Sequence, residues 1–78
     1  MASSSIDEYY YVNVRQDGKL APRLYRCSGQ IIRKDTEKVV MTVYGEGATA
    51  TSADSKARYE AKSWVYQNGE PSDWEAGN

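Results

Sequence analysis

The segment from Thr51 to Gln67 constrains this chain more than any other, because it is the one stretch with a clear helical period. Ala53, Ala57, Ala61, Trp64 and Val65 recur at spacings of four, four, three and one. At about 100° per residue they gather on one face. Alanines on that face let a helix lie close to whatever it covers, and Trp64 adds the apolar area that holds it there. Such a helix needs a sheet beneath it. Thr51 or Ser52 is the expected N-cap, with Asp54 near the positive end of the helix dipole, and Asn68-Gly69 is the expected stop. On the wet side, Asp54 to Arg58 and Lys56 to Glu60 are opposite charges four apart, each pair contributing about 0.2–0.5 kcal/mol.

The sheet is read from the residues ahead of the helix. Glu8 to Arg15 is rich in aromatic and β-branched residues and predicts a first strand, with Tyr10, Val12 and Val14 facing the core and Tyr9, Tyr11, Asn13 and Arg15 facing away. Asp17-Gly18 tolerates positive φ and predicts a hairpin turn. The return strand runs through Leu24 to Cys27, and Ser28-Gly29 reads equally as a bulge or a turn before Gln30 to Arg33. A charged turn, Lys34 to Lys38, leads into a further strand, Val39 to Tyr44, ended by Gly45-Glu46-Gly47. The fold expected is therefore α+β: an antiparallel sheet of three to four strands in meander order, with one C-terminal α-helix packed on one face. The 78 residues suffice for one domain, read as a flexible lead-in over 1–7, a folded core over 8–67 and an acidic tail over 68–78.

Composition narrows the chemistry. The chain has no histidine, which removes the commonest general base, the usual serine and cysteine triads and most zinc sites. Cys27 is the single cysteine; it reads as a buried structural residue and, with no disulfide to form, suits a reducing cytoplasmic setting. No phosphate-cradling loop, metal-ligand spacing or cofactor motif is present, and the chain is read as a non-enzyme without cofactor or metal. The polar N-terminus lacks the pattern of a signal peptide, and no apolar run approaches the roughly 20 residues of a membrane span.

Two surfaces stand out. Tyr59 and Tyr66, seven residues apart, fall together on the side of the helix away from the alanines, with Lys62 near them. With Trp74 of the tail they form the expected partner-binding surface, because exposed tyrosines anchor protein contacts. The alternative is nucleic-acid binding on the sheet face away from the helix, through Tyr9, Tyr11, Arg15, Arg23 and Arg26, where stacking would join phosphate contact. Charge distribution bears on this alternative: from Arg15 to Lys38 there are seven basic residues against three acidic ones, although the whole chain carries a net charge of −1. Pairing of exposed strand edges into a homodimer is a third expectation.

From Val39 to Val65 the order of strand, glycine turn, Ala/Thr/Ser-rich entry and alanine-lined helix resembles the C-terminal half of a double-stranded RNA-binding domain, with Ala57-Arg58 and Ala61 at the positions of that family's Ala-Lys pair and later alanine. Asp54 and Ser55 stand where the family places two phosphate-gripping lysines. The resemblance implies a related sheet-plus-helix shape. Tyr10-Tyr11-Val12-Asn13-Val14, then Asp17-Gly18-Lys19, then one alanine-rich helix is similar in style to small phage-encoded inhibitors, including some anti-CRISPR proteins. That similarity implies a compact, acidic, non-enzymatic chain that occupies a surface on a larger host complex.

Overall fold

The computed structural model describes residues 2–74 and contains five elements. Strands β1 (Ala2–Ser5), β2 (Tyr10–Ala21), β3 (Leu24–Arg33) and β4 (Val39–Gly47) precede the single helix α1 (Ala50–Asn68). The strands form one antiparallel sheet in the order β1-β2-β3-β4, a meander, and α1 lies across one face. This is the α+β arrangement that the alanine period and the strand pattern predict.

The core is the seam between that helix and the sheet. Tyr10, Val12 and Val14 of β2 meet Cys27 and Ile31 of β3 and Ala53, Ala57, Ala61 and Val65 of α1. Alternation along β2 produces the first set, because every second side chain points to the same face. Ile31 is fully buried, which stabilises the fold by about 1.5–3 kcal/mol relative to an exposed side chain. Trp64 is half-buried and stands edge-on to Tyr10, ring centroids 5.6 Å apart.

Small residues set how closely α1 approaches β3 and β4. A Cβ on Gly45 would lie 2.2 Å from the Ala57 nitrogen and 2.5 Å from the Ala53 carbonyl oxygen. One on Gly47 would lie 2.1 Å from the Ser52 hydroxyl. Gly45-Glu46-Gly47 is thus not the turn that ends the strand but its last three residues, and its glycines make room for the helix backbone. Ser28-Gly29 likewise forms neither a bulge nor a turn; both residues are buried within a continuous β3.

The Asp17-Gly18 hairpin is also corrected. β2 continues past it to Ala21, and Gly18 at φ 120° marks a shift in register with β3. The positive φ that glycine permits serves a β-bulge here. The chain reverses at Pro22-Arg23 instead, with Arg23 at φ 65°. Proline pre-sets the first turn position, and the second takes the left-handed conformation.

The expected lead-in is structured. Ala2 to Ser5 pair with Val14 to Tyr11 as an edge strand. The following turn is held by Asp7, whose carboxylate accepts from the backbone N–H groups of Tyr9 and Tyr10 at 2.8 and 2.9 Å. Lys34 closes it from β3's side, donating to the Asp7 carbonyl and the Ser5 hydroxyl at 2.6 and 2.7 Å. Ile6 packs on the core.

At the helix N-terminus the cap is Thr49, one turn ahead of Ser52, and the two form a reciprocal capping box. Asp54 lies beyond the first turn and pairs with Arg58 at 2.6 Å, and Arg58 also donates to Ser4 of β1. The Lys56–Glu60 ion pair does not form among the described residues. Gly69, at φ 65°, donates to the Val65 carbonyl and ends the helix as expected. Residues 75–78 of the expected acidic tail lie outside the described residues.

Candidate functional site

Helical geometry places the tyrosine pair. Residues seven apart are about 20° from eclipsed and about 10 Å apart along the axis, so Tyr59 and Tyr66 project from one side of α1. Tyr59 is 68% and Tyr66 90% exposed; Lys62 between them is exposed too. Neither ring meets another aromatic ring, a cation or a hydrogen-bond partner among the described residues.

Beside Tyr59 an open groove of about 800 Å³ runs between α1 and the outer side of β4. Ser55, Lys56, Tyr59 and Glu60 form its helical wall, and Tyr44, Gly45 and Glu46 its strand wall. At its floor Gly45, with no side chain, lets the helix backbone at Ala53 and Ala57 come close to β4. Lys56, Glu60 and Glu46 make the groove charged, and Tyr59 and Tyr44 are the aromatic residues of its lining, the type enriched in protein contacts. The sequence reading missed the β4 wall, since nothing in the spacing of Tyr44 and Tyr59 links them.

Trp74 is not part of this surface. It stands edge-on to Tyr9, ring centroids 4.9 Å apart, and Asp73 beside it accepts from Arg33 at 2.8 Å. Arg33 also grips Asp35 with two hydrogen bonds, 2.9 and 2.5 Å. Those bonds hold the Asp35 carboxyl below the usual carboxylate range and raise the Arg33 guanidinium above its ordinary value. The clasp fastens the segment after α1 to the sheet end where Tyr9 lies.

The alternative set on the sheet is spread out, and Tyr9, Tyr11, Arg15 and Arg26 of it are already engaged. Tyr9 carries Trp74, and Tyr11 donates to Glu37 at 2.9 Å, a bond that raises its phenol pKa. Arg15 and Arg26 flank the bulge residue Asp17 at 3.8 and 3.3 Å, so one carboxylate offsets part of both charges. Arg26 also lies 5.3 Å from the centre of the Tyr44 ring. Arg23 sits at the β2–β3 turn, roughly 40 Å from Tyr9 at 3.3 Å per strand residue.

Cys27 is fully buried, and desolvation pushes its thiol pKa up, the reverse of what a nucleophile needs. Its sulfur lies 4.0 Å from the Ala50 carbonyl oxygen. Among the described residues no three His, Cys, Asp or Glu side chains gather to hold a metal. No described helix is long and apolar enough to cross a membrane. Comparison with protein-family models, curated proteins and solved structures gives no match.

Proposed function

We propose that the chain is a non-enzymatic binding module that acts by protein contact, in the manner of a small inhibitor or regulator seated on a larger partner. The observation that carries this reading is the pair of exposed tyrosines, Tyr59 and Tyr66, on a helix side that the fold does not use. Tyrosine supplies a large, stiff, amphipathic contact at small entropic cost and is enriched among residues that dominate binding energy. The groove next to Tyr59 offers a concave site in which a partner side chain can be desolvated.

The nucleic-acid alternative has weaker support, because Arg15 and Arg26 share Asp17 and the two tyrosines are occupied by Trp74 and Glu37. Quantitative capture by the immobilised chain separates the two. The expected result is a set of captured proteins retained by an Arg15→Ala, Arg26→Ala variant and lost by a Tyr59→Ala, Tyr66→Ala variant. Capture of RNA that weakens steeply with salt and depends on the arginines would overturn the reading.

A further inference from the structure

The clasp that joins the segment after α1 to the sheet has two halves of unequal construction. One half is built into the end of the sheet. Arg33 gives two of its guanidinium nitrogens to Asp35, whose side chain is fully buried and also accepts from the Thr36 N–H at 2.7 Å. Tyr9 is pinned through its backbone: its N–H donates to the Asp7 carboxylate at 2.8 Å and its carbonyl accepts from the Lys34 N–H at 2.9 Å. The third nitrogen of Arg33 and the ring of Tyr9 are therefore held in place by groups that do not belong to the segment lying over them, as a preorganised site requires.

The other half is laid on top. Among the described residues the backbone bonds of segment 69–74 run from Gly69 to Val65 and from Trp74 to Pro71, and none crosses to the sheet. Side chains alone fasten it. Asp73 accepts from Arg33 at 2.8 Å with 77% of its side chain in water, Trp74 stands edge-on to Tyr9, and Glu70 lies beside the Tyr9 hydroxyl, as Glu8 does. An exposed ion pair and one ring contact make a fastening that opens locally while the core stays intact.

We propose that Arg33 and Tyr9 form a binding site for a short peptide segment of a partner protein, an acidic residue followed by an aromatic one, and that Asp73-Trp74 is the internal occupant which the partner displaces. The occupant shows what the site recognises: a carboxylate for the outward nitrogen of Arg33 and, one residue on, a ring for Tyr9. Because the strap belongs to the same chain, it competes at high effective concentration and closes the site to weak ligands. The site shares no residue with Tyr59, Tyr66 or the groove beside α1, so the inference goes beyond the helix-surface reading and does not rest on it.

NMR titration of the isotope-labelled full chain with an unlabelled synthetic peptide of residues 69–74 tests it. In an Asp73→Ser, Trp74→Ala variant of the chain, the peptide is expected to move the amide signals of Tyr9 and Arg33 with an apparent Kd at least about tenfold below that in the parent. Asp73→Asn within the peptide weakens binding by about threefold, and Trp74→Ala within the peptide weakens it further. In the parent, excess peptide is expected to move the chain's own Trp74 indole signal toward a solvated position, a readout that needs no variant. Tyr9 and Arg33 signals that stay still in the opened variant, or equal affinity in the two chains, overturn the proposal. Loss of cooperative urea unfolding in the variant overturns it too, because the strap would then be part of the fold.

Discussion

The inner and outer sides of α1 solve opposite problems with opposite residues. Inward, Ala53, Ala57 and Ala61 present the smallest side chains to a sheet that answers with Gly45 and Gly47, and all three alanines are fully buried. Outward, the same helix carries Tyr59 and Tyr66, among the largest side chains in the chain, and leaves them in water. Backbone proximity, with dispersion contacts along its length, holds the helix; the large rings add nothing to that seam. Apolar area is thus spent where folding does not require it, and that asymmetry points to contact with another molecule.

The most damaging way to break the inner side is Gly45→Val. Its Cβ would meet the Ala57 nitrogen at 2.2 Å, and backbone cannot swing away as a side-chain tip can. The expected loss exceeds the about 1–3 kcal/mol usual for overpacking, read as the loss of cooperative unfolding or a collapse of the urea midpoint. A smaller effect is expected at the helix entrance. Thr49→Ala removes the cap that Ser52 answers and costs about 1 kcal/mol, measured as a shift in denaturant midpoint at unchanged slope.

Acid tests whether Trp74 belongs with the folding side of the comparison. Asp35 titrates below its ordinary value because Arg33 bonds it. The clasp therefore contributes fully above the usual carboxylate range, about pH 4, and its contribution is lost as pH falls through the lowered folded value. The indole signal of Trp74 is expected to move toward a solvated position in that window. In Asp35→Asn that acid response should shrink, and an unchanged response would detach the clasp from the ring pair.

How much of this was legible in the sequence follows from the range over which each signal acts. The alanine period of α1 and the alternation Tyr10-Val12-Val14 are local, and both identify the faces that the structure buries. Asp17-Gly18 was misread because positive φ suits a bulge as well as a turn, and only pairing with β3 decides. Ala2 to Ser5 carry no strand propensity; they form β1 because β2 offers a ladder and Arg58 reaches Ser4 from the helix. Gly45 and Gly47 looked like a turn because the reason for them, the backbone of α1, lies across the fold. For the same reason the tyrosine pair could be read from a spacing of seven, whereas the groove beside it, with walls on two elements, could not.

The measurement that tests the central claim most directly is the unfolding free energy of the Tyr59→Ala, Tyr66→Ala variant, obtained from urea titration beside the parent chain. If the outer side of α1 is free of any folding role, the two values agree within about 0.5 kcal/mol. A loss of about 2 kcal/mol or more would contradict the account, because it would make the tyrosines part of what holds the helix down.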